Sequence, residues 1–162
     1  MTLSHVGPDG SARMVDVGSK PETDRSATAE GSVRMSREAF ELVLNNAVAK
    51  GDVLAVARLA GIQGAKRTAD LIPLCHPLAL GFIEVEPVLD DALPGVRITA
   101  TARATGKTGV EMEALTAVAV ACLTVYDMVK SADRGMVVEE VRLIHKSGGR
   151  SGVYTALPRS DR

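Results

Sequence analysis

Apolar and polar side chains alternate most cleanly in two neighbouring stretches. Phe82-Ile83-Glu84-Val85-Glu86-Pro87-Val88 and Val96-Arg97-Ile98-Thr99-Ala100-Thr101-Ala102 change sides residue by residue, as half-buried strands do, and the turn-rich Asp90 to Gly95 joins them. They predict a β-hairpin. Elsewhere the period lengthens. Ser36, a good N-cap, precedes Arg37-Glu38-Ala39-Phe40-Glu41-Leu42-Val43-Leu44, with an acid in the first turn and apolar residues at helical spacing, so a helix is expected to stop near Asn45-Asn46. Asp52 is the next cap, and Val53, Val56, Ala57, Ala60 and Ile62 continue a helical pattern to about Thr68, before Pro73. Gly61 and Gly64 weaken that helix and permit close backbone contact.

The longest helix is expected after Thr108 and Glu111, which have capping-box spacing, because no Gly or Pro follows until after Lys130. Val137 to Ile144 reads as a strand and Gly152 to Leu157 as a last short one, while Ser11 to Val17 and Ala27 to Met35 read as strands or extended arms. Helices interleaved with at least one antiparallel strand pair predict an α+β sandwich, with helices on one face of a mixed or antiparallel sheet, in preference to a doubly wound nucleotide fold.

Length and composition narrow the classes. A chain of 162 residues suits one core, and 46% apolar against 24% charged residues excludes intrinsic disorder. The net charge of −1 offers no bulk field for nucleic acid or an anionic membrane, so any anion site must be local. Phe40, Phe82, Tyr126 and Tyr154 are the whole aromatic set, which argues against a base-stacking platform. Cys75 and Cys122 are too few for a disulfide framework and suit a reducing compartment, so a cytoplasmic location is expected. Met1 to Asp16 lacks a signal-peptide pattern, and the apolar run from Ala114 to Tyr126 is shorter than the roughly 20 residues of a membrane span.

Five stretches could carry chemistry. Thr101-Ala-Arg-Ala-Thr-Gly106-Lys107-Thr108 looks like a phosphate-binding P-loop, but Thr101 stands where the first glycine must be. Gly61-Ile-Gln-Gly64 likewise lacks the strand and third glycine of a dinucleotide fingerprint. On the long helix, 100° per residue places Glu113, Thr116, Val120, Thr124 and Asp127 in one stripe, with Leu115, Val118, Cys122, Val125 and Val129 on other faces. Two faces are therefore expected to be buried. Asp127 and Lys130, three residues apart, are either an ordinary surface ion pair or an acid/base pair in a cleft.

Leu71-Ile-Pro-Leu-Cys75-His76-Pro77-Leu78 sets two reactive side chains in an apolar segment, with His76 either a hydrogen-bonded structural residue or a binding one. Two ligands are too few for zinc, and no metal is assigned. His145-Lys146-Ser147-Gly148-Gly149-Arg150-Ser151-Gly152, a glycine-rich turn with two fixed cations, reads as either a phosphate cradle or a solvated tail. Lys50 and Lys66, near helix ends, would complete a polyphosphate site if the cations converge.

Met14-Val-Asp-Val17, Lys50-Gly-Asp-Val53, Ala65-Lys-Arg-Thr68, Asp70-Leu-Ile-Pro-Leu-Cys-His-Pro-Leu78, Thr105-Gly-Lys-Thr-Gly-Val-Glu-Met-Glu-Ala-Leu-Thr116, Tyr126-Asp-Met128 with Lys130, and Lys146-Ser-Gly-Gly149 occur in this order. Together they closely resemble the cyclic pyranopterin monophosphate synthases of molybdenum cofactor biosynthesis, over about residues 4–155 of a single 1–162 domain with flexible ends. The resemblance implies a ferredoxin-like α+β fold and a lyase that converts 3′,8-cyclo-7,8-dihydroguanosine triphosphate to the cyclic pyranopterin monophosphate plus pyrophosphate. It implies a homohexamer, a trimer of dimers with the active site at the dimer interface. It also implies no tightly bound cofactor, with magnesium left open as a companion of the triphosphate or pyrophosphate.

By the same resemblance Asp127 and Lys130 are catalytic, while Lys50, Lys66, Leu74, Cys75, His76, Met112, Glu113 and Lys146 bind substrate. Asp16, Lys20, Arg25 and Glu111 match further polar positions. Arg150 stands where some relatives carry Lys, and Val153 where an acid can follow the last glycine. The competing classes are a non-catalytic nucleotide-binding module, which needs no Asp127–Lys130 pair, and an NTPase built on Gly106-Lys107-Thr108.

Overall fold

The computed structural model describes residues 9–157. In chain order the elements are β1 (Thr23–Arg34), α1 (Arg37–Leu44), α2 (Val53–Lys66), α3 (Thr68–Leu71), β2 (Phe82–Asp90), β3 (Gly95–Gly106), α4 (Glu111–Val129), β4 (Val137–Ser147) and β5 (Tyr154–Thr155). The strands form one sheet in the order β2-β3-β1-β4-β5, and every neighbouring pair is antiparallel. A β-α-β-β-α-β chain order with spatial order 2-3-1-4 is the ferredoxin-like arrangement. The sheet is therefore antiparallel throughout, and β5 is a short addition to its β4 edge.

The period-two pattern explains which face is covered. Ala27, Ala29 and Val33 of β1 pair across the ladder with Ala102, Ala100 and Val96 of β3, and Val85 of β2 lies opposite Ala100. All are buried, together with Ala114, Ala117, Val118, Ala121, Cys122 and Val125 of α4. Small side chains on both layers bring the helix close to the strands and raise the number of dispersion contacts. The alternate residues, such as Glu30, Thr28 and Thr101, are polar; Arg142 Nη2 reaches Glu30 at 2.8 Å, and the Thr28 and Thr101 hydroxyls lie 3.0 Å apart. Gly61 and Gly64 of α2 let that helix approach α4. A Cβ on Gly61 would sit 2.9 Å from the Ala117 carbonyl, and one on Gly64 2.8 Å from Val120 Cγ2.

The helix starts expected from Ser36 and Asp52 are present. Ser36 Oγ accepts the Ala39 amide at 3.3 Å, and Asp52 Oδ1 accepts the Ala55 amide at 2.9 Å. The hairpin spans Phe82–Asp90 and Gly95–Gly106, and α4 buries two faces, against the sheet and against α2. One expectation needs correction, and one alternative is decided. Val110, not Thr108, is the N-cap of α4, with no side-chain cap bond, because Thr108, Gly109 and Val110 are spent turning the chain out of β3. Ser11 to Val17, read as a strand or an extended arm, is an arm with a single bridge at Ala12 and no strand. Local turns at Asp9 and Asp16 bind the Ser11 and Gly18 amides, and side chains of the main body bind the Val15 and Gly18 carbonyls.

α4, at 19 residues, is long and apolar enough to cross a membrane, but its apolar character is that of a core helix packed on a sheet. Both cysteines are free thiols, and burial in α4 pushes Cys122 up to about 12. Of the flexible ends expected outside about residues 4–155, residues 1–3 and 158–162 lie outside those described.

Candidate active site

Antiparallel registers bring three chain ends together at one edge of the molecule. Thr23 at the start of β1 pairs with Gly106 at the end of β3, and Ser26 pairs with Ser147 at the end of β4. α4 begins a few residues beyond β3. The side chains delivered to this corner are Lys20, Arg25, Lys107, Lys146 and Arg150, around a cavity of about 510 Å³ also lined by Thr108, Gly109 and Glu111. Five cations against one acid make a local positive site in a chain of net charge −1.

The glycine-rich turn belongs to this wall. Gly148 and Gly149 have φ of +96° and +72°, and a Cβ on Gly149 would collide with the Arg25 guanidinium. Glycine lets the turn fold onto Arg25, whose Nε donates to the Gly106 carbonyl at 3.3 Å. Lys146 Nζ lies 3.6 Å from Glu111 Oε1 and donates to Ser151 Oγ. Between a phosphate cradle and a solvated tail, the geometry favours the cradle: fixed cations converge beside a helix N-terminus, a setting suited to anions. The P-loop is excluded structurally, because Thr101 lies in mid-strand, paired with Thr28 and Glu84.

A second cavity of about 270 Å³ adjoins the first and shares Lys20, Thr108, Gly109 and Glu111 with it. Leu74, Cys75, His76, Met112 and Glu113 line it, so five residues singled out in the sequence meet there. Glu113 is only 4% exposed. Burial, with a smaller contribution from the Glu111 charge, raises its carboxyl above the usual range despite a backbone hydrogen bond. The Cys75 thiol is likewise raised, first by burial and then by the charge of Glu113. His76 Nε2 donates to the Val15 carbonyl at 2.7 Å, which fixes the ring and leaves Nδ1 as its other polar atom. His76 is thus both hydrogen-bonded and part of a pocket wall.

The third group sits at the far end of α4. Lys50 Nζ donates to Asp127 Oδ2 at 2.7 Å and to the Asp127 carbonyl at 2.8 Å, and Lys130 Nζ reaches Asp127 Oδ1 at 2.7 Å. Both carboxylate oxygens are occupied. Hydrogen bonds from Lys130, then Lys50, hold Asp127 down to about 2. Tyr126, Ser131 and Arg134 complete an open cavity of about 320 Å³. Lys50 was expected with the phosphate cations; it lies instead with Asp127, because the loop before α2 passes this end of α4.

Asp127 is fourteen residues beyond Glu113, which corresponds to about 21 Å along the helix axis. The chain thus carries two separate groups, one at each end of α4. Lys66, the last residue of α2, is exposed and lines none of the three cavities. Lys107, whose Gly-Lys-Thr string the sequence already separates from a P-loop, donates its ammonium to the Gly18 carbonyl at 2.7 Å. Among the described residues no three or more His, Cys, Asp or Glu side chains gather as a metal site.

The sequence matches the MoaC family over residues 14–149. It is 61% identical over 157 residues to the cyclic pyranopterin monophosphate synthase of Methylobacterium sp. (strain 4-46), covering 97% of this chain and 98% of that one. It is 59% identical over 157 residues to the synthase of Methylobacterium nodulans, with 97% and 98% covered. With that of Brucella ovis it shares 59% over 150 residues, covering 93% of this chain and 91% of the relative.

Proposed function

The chain belongs to the MoaC family, and from that premise we propose that it is a cyclic pyranopterin monophosphate synthase, a lyase of molybdenum cofactor biosynthesis. Its substrate is 3′,8-cyclo-7,8-dihydroguanosine triphosphate, and its products are cyclic pyranopterin monophosphate and pyrophosphate. The observation that carries the reading is the continuous cleft at the start of α4, where a cationic cradle adjoins a pocket containing a buried carboxyl.

In this reading Lys20, Arg25, Lys146 and Arg150 hold the triphosphate. Their charge opposes the negative charge that grows on the departing pyrophosphate, the interaction expected to lower the barrier to phosphoryl displacement. Leu74, Cys75, His76 and Met112 form the wall against which the purine-derived ring rests. Glu113, with a raised proton affinity, is suited to hold or pass a proton at a ring nitrogen. Asp127 is a weak base because two ammonium groups already use its oxygens, which supports a division of labour. It holds the Lys130 and Lys50 ammonium groups in place.

A catalytic group must come within about 3 Å of the atoms it serves. The 21 Å separation along α4 therefore supports a site completed by a second copy, whose Asp127 end faces this chain's cleft. The same reading extends to a homohexamer built as a trimer of such dimers and to a cytoplasmic location, with which two free thiols agree. No resident cofactor is assigned, and magnesium would enter with the phosphates.

The test is turnover of the purified protein on the cyclised triphosphate, with pyrophosphate and pyranopterin measured together. Equal release of both products by the native chain, absent with Asp127→Ala, is the expected result. Tight binding with neither product would instead assign the chain to the non-catalytic nucleotide-binding class, and Lys107-dependent hydrolysis of ATP or GTP would assign it to the NTPases.

A further inference from the structure

Before β1 the chain lies as a strap across the cleft. Residues 13–20 belong to no helix or strand, yet Lys20 at the end of the strap lines both the cationic cavity and the pocket beside it. The strap closes on itself in a turn, with the Lys20 amide donating to the Val17 carbonyl at 3.0 Å and the Gly18 amide to Asp16 Oδ1 at 2.8 Å. Two side chains tie it to the main body: His76, on the Val15 carbonyl, and Lys107, on the Gly18 carbonyl at 2.7 Å. Lys107 itself is anchored on the rigid side, immediately after β3.

We propose that Lys107 is a positioning residue: its ammonium clamps the Gly18 turn so that Lys20 is presented to the phosphate chain. This rests on the triphosphate reading of the cleft given above. A lysine in a Gly-Lys-Thr string invites the assumption of direct phosphate contact, but here one of its donors is committed to backbone 89 residues away in sequence. A charged donor on a carbonyl is among the stronger single hydrogen bonds available to a segment with so few others. Without it the turn would sample open positions, and Lys20 would have to be ordered at the moment of binding, at an entropic cost to affinity.

The inference separates from direct phosphate binding by a double-substitution cycle combined with amide exchange. Lys107→Met, Lys20→Met, the double variant and Lys107→Arg are assayed for KM and kcat on the cyclised triphosphate. Amide exchange of residues 16–20 is followed in the free protein. Clamping predicts that each single Met variant lowers kcat/KM about tenfold, and that the double variant is no worse than either one. It also predicts faster exchange of residues 16–20 in Lys107→Met, unchanged exchange in β3 and α4, and restoration of both readouts by Lys107→Arg. Multiplying kcat/KM effects in the double variant, or unaltered exchange at 16–20, would overturn the proposal. A native protein without turnover would sink the synthase reading instead, and the exchange comparison would still decide on the clamp.

Discussion

Two inactive variants should restore each other when mixed. Glu113→Gln damages the cleft at the start of α4, and Asp127→Ala removes the acid near its end, about 21 Å further along the axis. If each active site takes its cleft from one protomer and its Asp127 group from a two-fold partner, a hybrid dimer contains one intact site and one doubly damaged site. Random reassociation makes half of the dimers hybrid, so the mixture should recover about a quarter of native turnover. The assay is pyrophosphate release after the two proteins are mixed and subunit exchange is verified by native mass spectrometry. Turnover at the level of the separate variants, despite verified exchange, would refute the shared site. So would full native activity in a form shown to be monomeric, because the two groups would then have to meet within one chain.

Lys146→Ala should weaken triphosphate binding about 10- to 100-fold, the range for losing one charge-assisted contact, with the loss shrinking as salt rises; equal affinity by calorimetry would contradict the cradle. Asp127→Ala should abolish turnover and leave the melting temperature close to native, since an exposed ion cluster contributes little to folding. Glu113→Gln should raise the melting temperature at pH 7–8. A buried carboxyl with raised proton affinity contributes stability when protonated, and that contribution is lost as pH rises through its folded value. The advantage should shrink as pH falls toward the ordinary value of 4.5, and a variant less stable than native at pH 8 would reverse that account of Glu113. Gly64→Ala should cost about 1–3 kcal/mol by driving a methyl into Val120, with Val120→Ala partly restoring it in thermal unfolding; an undiminished loss in the double variant would refute the collision.

Local chemistry explains what could be read in advance. Ser36 and Asp52 mark helix starts because the signal lies within four residues, and the hairpin is legible because its alternation and its turn are contiguous. Thr108 has equally good local spacing, but the chain's path from β3 into α4 overrides it. Thr23 to Arg25 extend β1 because β3 lies ready beside them, with β4 joining at Ser26, which no local pattern announces. The meeting of Cys75 and His76 with Glu113 could be inferred from family likeness, not from spacing. Separation of Lys50 from Lys146, and capture of Gly18 by Lys107, depend wholly on how distant segments pack.

Because one uninterrupted helix carries Glu113 near its start and Asp127 near its end, α4 acts as a ruler as well as a core element. If the site is shared between two copies as proposed, the length of α4 sets the offset between the half-site a protomer keeps and the half-site it lends. Its pitch sets the direction in which each points. Inserting a single residue between them would move Asp127 by about 1.5 Å and turn it through about 100° without altering the chemistry at either end. Two-fold symmetry would repeat that error in the second site. Side-chain replacements along the middle of α4 can be compensated by repacking, but a change in residue count there cannot, so the spacing itself is part of the active site.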